Sequence, residues 1–597
     1  MEEAEKKNTE KQGRKKSGLT EVIRGVFTLL TRREKLELLL LLFLGFTSSL
    51  IETVSTGAVL PFMYLLADPA AIAALPVVGP FFGRLIRLSG EKYILLFSAG
   101  FIGLYTLRCG YMIVYRYVHG TITRRIQCDF SVRLFSYYAS REYEFYFSHN
   151  PSLLQRNVTG IVTALISGVV SDTLFLIINV FTAVMLFVLV FLSGTTTLFI
   201  AAFCMVAIYF GVTRGTKRRL REMAEWENNH AKEFYRMVME YFRGIKSIRL
   251  LGRNNDISCR VQKESNAINA MASRRDMVNA VPNQVLELGT VIILVVILVA
   301  GYLKKGAEAG IASISLCAAA AFRIRSSLFG ILNRAAGIRS NSVYYDEIRE
   351  DLENASAMPL ENADEPEPLV FSDRLEAECI SYRYPGTERD VISGASFVLK
   401  KGEAVGLIGK SGNGKSTMAD LLLGLLRPQQ GCVRIDGIPL AGNERAWQRI
   451  VGYVPQSIFL ADASIAENVA FGLPKEKIDT EKVMKALQIA QLAEFVEKLP
   501  EKAETKVGDN GILLSGGQRQ RIGIARALYN EPKVLVFDEA TSSLDGETER
   551  NFVATLNSMR SDYTMLIISH RMETVSKCDR ILEVKDGKIL ESTLNKG

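Results

Sequence analysis

Six apolar runs, each close to the length of a bilayer span, fall within the first 335 of 597 residues. A membrane-crossing segment must satisfy every backbone polar group internally, so each run is restricted to a helix of roughly 20 residues across about 30 Å of hydrocarbon. The runs are Leu36–Leu66, Tyr93–Tyr117, Ile161–Leu192, Thr195–Val212, Val281–Tyr302 and Gly310–Leu332, with Ser193-Gly194 as a tight turn. Two connections are long, about 45 residues after the second run and about 68 after the fourth, and both are polar and helix-friendly. Basic residues are denser there, which puts those connections and both termini on the cytoplasmic side. The stretch Asp68–Lys92 is then external, and its apolar part Ile72–Leu88, broken by Pro76 and Pro80, reads as either an interfacial helix or an ordered loop.

The charge distribution fits a membrane protein. Lys and Arg number 72 against 64 Asp and Glu, a net charge of +8. The excess gathers in the tail (Lys6, Lys7, Arg14, Lys15, Lys16) and in Arg214–Arg275, flanking apolar runs. No basic face interleaved with aromatics is present, so a nucleic-acid partner is not expected. The eight cysteines are scattered without a CxxC pair; neither a zinc site nor a disulfide framework follows, and buried free thiols are expected. The long charged tail does not read as a cleavable signal peptide.

After the sixth run, the charged stretch Val343–Asn354 leads into Met358–Pro368, where three prolines alternate with acidic residues. Such a segment cannot pack a core and reads as a linker. The expected organisation is a cytoplasmic tail (1–30), a six-helix membrane domain (31–354), an acidic Pro-containing linker (355–369) and a soluble domain (370–597).

The soluble domain carries nucleotide chemistry. Gly409-Lys410-Ser411-Gly412-Asn413-Gly414-Lys415-Ser416-Thr417 fits GxxxxGK[ST], after the strand-like Ala404–Ile408 and before the helical Thr417–Leu426. That context lets backbone N–H groups and a helix N-terminus cradle phosphates, with Lys415 reaching the β- and γ-phosphates and Ser416 holding Mg²⁺. Val534–Glu539 is a buried-strand run ending in two carboxylates. Asp538 suits the Mg²⁺ shell and Glu539 the base acting on an attacking water. Ser515-Gly516-Gly517-Gln518 opens the helical stretch Gln518–Tyr529, a further anion-receptive helix start. Taken singly, each of these also reads as an ordinary capped helix or a solvated acidic turn.

With these motifs in this order, Leu375–Leu590 resembles the nucleotide-binding domain of ATP-binding cassette (ABC) proteins. The resemblance implies that Tyr384 stacks on adenine and that Gln456 senses Mg²⁺. It implies further that Asp545, in Ser543-Leu544-Asp545, communicates across a dimer and that His570 contacts the γ-phosphate. In that family two cassettes pair head to tail, Ser515–Gln518 of one capping ATP on the phosphate loop of the other. The resemblance implies a homodimer with ATP and Mg²⁺ at two composite sites; a heterodimer stays open, though such pairs often have one degenerate site and this one is intact. The fold class expected is an all-α polytopic membrane domain of six transmembrane helices, of ABC exporter type, fused to an α/β P-loop NTPase. Phe145–Asn157, with Asn150-Pro151 as a turn, and Glu240–Arg253 would be the docking helices; on pattern alone both are solvated helix.

Intramembrane charges point toward the cargo, because they are costly unless paired or functional. They are Glu52, Arg108, Asp172, Glu287, Arg323 and Arg325. Arg323 and Arg325, two apart, cannot share one helix face. A cavity lined by Glu52, Arg108, Arg323 and Arg325 would suit a pyrophosphate. Leu50-Ile51-Glu52-Thr53 through Leu60-Pro61-Phe62, Asn333-Arg334 and Tyr344-Tyr345 are similar to segments of the bacterial lipid-linked oligosaccharide flippases (PglK type). That resemblance implies outward flipping of a polyprenyl-pyrophosphate glycan across the inner (plasma) membrane by alternating access. Exporters of drugs, other lipids or peptides share the architecture and stay open, as does an ATP-gated channel or regulatory subunit. The presence of both Glu539 and His570 favours turnover.

Overall fold

The computed structural model describes residues 18–59, 62, 93–192, 196–305, 310–357, 367–540, 546–560 and 562–591, without some side chains in 190–221, 297–320 and 546–551. The N-terminal residues to 17, the stretch Ile72–Leu88 expected to be external, residues 358–366 of the expected linker and Ser543-Leu544-Asp545 lie outside the described residues. The chain forms two compact units. One comprises 15–141 and 148–360; the other comprises 361–597 together with Glu142–Phe147.

The first unit is helical: α1 Leu19–Thr28, α2 Arg32–Gly57, α3 Tyr93–Ala139, then a rod from Pro151 that ends in α4 Asp172–Leu192, followed by α5 Thr196–Arg243, α6 Asn254–Lys305 and α7 Gly310–Ala357. Arg32–Gly57, Ile94–Ala139, Pro151–Leu189 and Asn254–Val296 are long and apolar enough over the described residues to cross a membrane. They coincide with the first, second, third and fifth expected spans. The fourth and sixth fall on α5 and α7, where part of the side chains lies outside the described set.

Helix lengths show what the two helix-friendly connections become. The long polar connections are mostly not separate segments but continuations of the spans: α3 has 47 residues and α5 has 48, about 70 Å each and well over twice the hydrocarbon thickness. Once a helix has nucleated, its backbone ladder carries on into polar sequence that lacks a breaker. What remains between the long helices is short. Phe145–Ser148 precedes Asn150, whose side chain accepts from Ser152 N at 2.9 Å, and Pro151 occupies the first turn of the next helix. Ile245–Leu250 is closed by Gly252 at φ 66°.

Within the membrane unit the usual polarity is inverted. Leu36, Leu39, Leu40 and Phe43 of α2 are exposed, while Ser48, Ser49, Thr53, Ser55 and Thr56 are buried. Lipid is as apolar as leucine, so helices associate through close packing and polar contacts instead; Ser49 Oγ lies 2.7 Å from Thr182 Oγ1. The third rod and α7 show this most regularly. A Cβ on Gly168 would collide with Asn341, one on Gly337 with the Asp172 carboxylate, and one on Gly330 with the Asn179 amide at 2.8 Å. Positions 168, 172 and 179 ascend as 341, 337 and 330 descend in equal steps, the signature of an antiparallel pair held in one register. Gly168 lies in Ile166–Ser171, a π-helical stretch that ends where Asp172 begins α4.

The second unit is α/β. A four-stranded antiparallel sheet has the order β2 (Ile392–Lys400), β1 (Arg374–Tyr382), β4 (Gln430–Ile435), β5 (Ile438–Pro439). A six-stranded sheet has the order β10 (Lys588–Glu591), β9 (Arg580–Lys585), β3 (Ala404–Ile408), β8 (Thr564–Ile568), β7 (Val534–Asp538), β6 (Val451–Val454), parallel except at β10. Every residue of β7 and β8 is buried, as continuous apolar strands in a covered parallel sheet should be. The helices used below are α8 Lys415–Leu422 and α9 Gly516–Leu528.

The expectation of burial fails for most of the described cysteines. Cys578 is buried, but Cys109, Cys128, Cys259 and Cys379 are exposed and Cys432 is partly so. Three of the exposed thiols lie on the long helices α3 and α6, whose outward surfaces tolerate a small apolar group.

Gly337→Val drives a branched side chain into Asp172 and is expected to cost about 1–3 kcal/mol from overpacking, with the buried charge disturbed as well. The measurement is the thermal midpoint of the detergent-solubilised protein by fluorescence-detected gel filtration. A midpoint equal to wild type would show that the two helices are not held at this position.

Candidate functional site

The carboxyl ends of β3 and β7 bring the phosphate loop and the two carboxylates together, as expected for a parallel sheet. Gly409 (φ 155°) cannot carry a side chain, because a Cβ would lie 2.6 Å from Val584 O. Gly414 caps α8 at φ 95° without a side-chain cap bond, which leaves the first N–H groups of α8 available to an anion. Asn413 Nδ2 donates to Val584 O at 3.0 Å and pins the loop. Lys415, 5% exposed, donates from Nζ to Gly409 O at 3.0 Å and Lys410 O at 3.2 Å.

Glu539 is the meeting point. It follows β7 at φ 46°, a left-handed conformation that an L-residue adopts at a cost. Its N–H donates to Ile568 O at 2.9 Å, tying it to the end of β8. Oε1 lies 3.3 Å from Lys415 Nζ, Oε2 accepts from Gln456 Nε2 at 2.8 Å, and His570 Nδ1 stands 3.8 Å from Oε2. Three residues singled out by sequence, Lys415, Gln456 and His570, are thereby gathered around one carboxylate. Ser416 Oγ donates to Asp538 Oδ1 at 3.3 Å, and the Tyr384 hydroxyl lies 3.0 Å from Thr417 Oγ1. Ser416 Oγ and Asp538 Oδ1 are hard oxygens that fit Mg²⁺, which commonly takes one or two protein ligands and completes its shell with phosphates and water. No cluster of three or more His, Cys, Asp or Glu suited to a metal occurs among the described residues.

Ser515 stands apart. Its hydroxyl accepts from Gln518 N at 3.3 Å and its N–H donates to Gln518 Oε1 at 2.9 Å, a capping box with Gly516 and Gly517 inside the first turn of α9. Among the described residues it shares none of the phosphate-loop contacts. Asp545 lies outside the described residues.

Three participants were not legible in the sequence. The Tyr382 hydroxyl donates to Glu144 Oε1 at 2.8 Å, and the Phe147 ring meets Tyr384 edge-on at 5.4 Å. Both come from the segment 142–147, which packs with 361–597. The third is Asp420, on α8 one turn beyond Ser416. Burial, reinforced by the charge of Asp538, pushes the Asp420 carboxyl up to about 6. Burial likewise raises Asp538, with Glu539 adding to the rise while Ser416 and Lys415 oppose it.

In the membrane unit Glu52 Oε1 accepts from Arg323 Nη1 at 2.7 Å and from Arg108 Nη2 at 3.0 Å. Arg325 turns elsewhere and pairs with Glu287 at 3.4 Å. The expected four-residue cavity is thus a Glu52–Arg108–Arg323 cluster with one surplus positive charge, plus a separate Arg325–Glu287 pair.

A phosphate loop on a parallel sheet, with carboxylates at the adjoining strand end and long apolar helices in the same chain, defines a membrane-embedded P-loop ATPase. Residues 392–542 match the ABC transporter family, and 39–322 match the ABC transporter transmembrane region. An ATP-dependent lipid A-core flippase of Bordetella pertussis (strain Tohama I) is 32% identical over 437 residues, 73% of this chain and 68% of that one. One from Alkalilimnicola ehrlichii is 29% identical over 483 residues, 80% of each. A bacterial Atm1-family ABC exporter with ATP bound shares the fold at a TM-score of 0.72 and 21% identity, over 94% of both chains. The chain belongs to the ABC transporter family. It is an exporter-type half-transporter whose cassette binds and hydrolyses ATP to drive transport.

The raised Asp420 carboxyl makes a signed prediction. The folded protein prefers the neutral form, so ionisation destabilises the wild type progressively as pH rises from about 3.8, the ordinary value, through about 6. Asp420→Asn should therefore raise the nucleotide-free thermal midpoint at pH 7.5, with the gain shrinking toward zero near pH 4. A gain of equal size at both pH values would remove burial of the charge as its cause.

Proposed function

We propose that the chain works as a homodimeric, ATP-driven flippase that moves a polyprenyl-pyrophosphate oligosaccharide from the cytoplasmic to the outer side of the inner membrane. The observation carrying this reading is the Glu52–Arg108–Arg323 cluster, in which two guanidinium groups share one carboxylate oxygen. A net positive centre inside a helical membrane unit is costly unless an anion visits it, and a pyrophosphate headgroup is such an anion. The lipid A-core named for the Bordetella relative is the second reading, because a glycolipid bearing phosphate would also bring an anion to this centre. Membrane domain (31–354), linker (355–369) and cassette (370–597) are the working parts in this proposal.

In the cassette, the phosphate loop from Gly409 to Thr417 grips the polyphosphate through backbone N–H groups and Lys415, and Tyr384 packs on the base. Ser416, Asp538 and Gln456 would hold Mg²⁺, which supplies charge neutralisation at the phosphates. Glu539 accepts the proton of the attacking water, with Gln456 and His570 orienting its carboxylate. Ser515–Gln518 of the partner closes the site in a head-to-tail dimer, and Asp545 communicates across it. ATP-bound closure turns the membrane halves outward, and hydrolysis resets them.

Glu539→Gln should lower steady-state ATP hydrolysis by at least roughly a hundredfold while ATP binding persists, measured by phosphate release and nucleotide retention. Robust turnover would reassign the base. For the cargo, headgroup accessibility of a labelled polyprenyl-pyrophosphate oligosaccharide in proteoliposomes should change with ATP and not with the Gln variant. No movement alongside healthy ATPase would remove this cargo and leave lipid A-type glycolipids and drugs as the next candidates.

A further inference from the structure

A second charged cluster lies in the membrane unit, outside the Glu52 group. Arg334 Nη1 lies 2.6 Å from Asp172 Oδ1, and its guanidinium rests 4.7 Å over the Phe175 ring. Behind Phe175 sits the His119 ring at 4.4 Å, whose Nε2 is 3.4 Å from Ser171 Oγ. Asp172 and His119 are buried, at 8% and 6% exposure, whereas the Arg334 side chain is 42% exposed, against 14% for Arg108 and 29% for Arg323. One edge of the guanidinium is thus held from inside the bundle while the rest stays open, and the planar fork retains donors for a second oxyanion. Gly337 is what admits the carboxylate, since a Cβ there would meet Asp172 Oδ2.

Depth places this cluster. Arg334 is 24 residues along α7 from Gly310, about 36 Å at the helical rise and just past about 30 Å of hydrocarbon. Asp172 is 20 residues from Leu192 at the far end of α4, about 30 Å, and agrees independently. With the Gly310 and Leu192 ends outside, both groups sit at the level of inner-leaflet headgroups. Arg323 is 11 residues from Arg334 on the same helix, three turns within about 20° of rotation and about 16 Å apart. The two arginines therefore share one face of α7 at two depths, whereas Arg325 points away from it.

We propose that Arg334, locked in orientation by Asp172 and Phe175, is the capture site for the phosphate group of the lipid substrate at inner-leaflet depth, one station below the Arg323 cluster. This rests on the flippase reading above and adds an entry point to it. Asp172 acts here as a positioning residue: it aims the fork and never meets the headgroup.

The test uses the full chain in nanodiscs, with undecaprenyl pyrophosphate as probe, undecaprenol as its phosphate-free counterpart, and lipid A and inorganic pyrophosphate as further arms. The readouts are lipid-stimulated ATPase and bound lipid by native mass spectrometry. Arg334→Lys keeps a charge for Asp172 but loses the fork, and should raise the half-saturating undecaprenyl pyrophosphate concentration about tenfold. The double variant Asp172→Asn/Arg334→Gln leaves neither charge stranded and should abolish phosphate-dependent binding. Basal ATPase and the response to undecaprenol should match wild type in both. Unchanged half-saturation in both variants overturns the proposal, as does loss of basal ATPase in step with binding, which would make the pair structural. Competition by inorganic pyrophosphate at concentrations equal to the lipid's would overturn the lipid assignment in favour of a free-ion site. A wild type indifferent to undecaprenyl pyrophosphate, yet binding lipid A through Arg334, would retire the oligosaccharide reading and retain the capture site.

Discussion

Close packing of small residues against polar ones, between the third rod and α7, is the contact on which the membrane unit depends. Hydrophobic burial cannot hold two helices together in lipid, because the tails compete on equal terms. Gly168, Gly330 and Gly337 let Asn341, Asn179 and Asp172 approach a facing backbone, and their equal steps admit one antiparallel register. A slip by a turn would set side chain against side chain and part Asp172 from Arg334. The Arg334–Asp172 pair sits within this seam, so the ion pair is held by the same packing that sets the helix register.

The cassette depends on a comparable convergence around Glu539. A buried parallel strand delivers the residue, a left-handed backbone turns it, and Ile568 O, Lys415 and Gln456 fix its backbone and both carboxylate oxygens. A residue held at such a backbone angle costs on the order of 1–3 kcal/mol, which the surrounding sheet must offset. His570 stands 3.8 Å from the carboxylate and follows β8, the strand to which Glu539 is hydrogen-bonded. Ser515–Gln518 folds into its own capping box instead.

Much of this was legible beforehand. Ala404–Ile408 is a strand with the bounds expected from its apolar run, and the helix expected over Thr417–Leu426 is present but runs from Lys415 to Leu422. Such features are local, written in consecutive residues whose chemistry allows few alternatives. The helices were harder. Apolar runs mark where lipid is crossed, not where a helix ends, and α3, α5 and α6 continue far into polar sequence. The thiols misled because scattered cysteine is usually buried in a soluble core, whereas here four of them surface.

Partnerships between distant segments were beyond reach of the linear chain. Arg323 and Arg325 are neighbours in sequence yet serve Glu52 and Glu287 on different helices, and Glu144 belongs with Tyr382 across 238 positions. Spacing along the chain determines motifs, strand and helix identity and the membrane class, because those follow from short-range backbone and side-chain chemistry. Which charge neutralises which, how much of Arg334 remains open, and why Asp420 resists ionisation were decided by tertiary packing. Each depends on the distance and dielectric between groups that only the folded chain brings together.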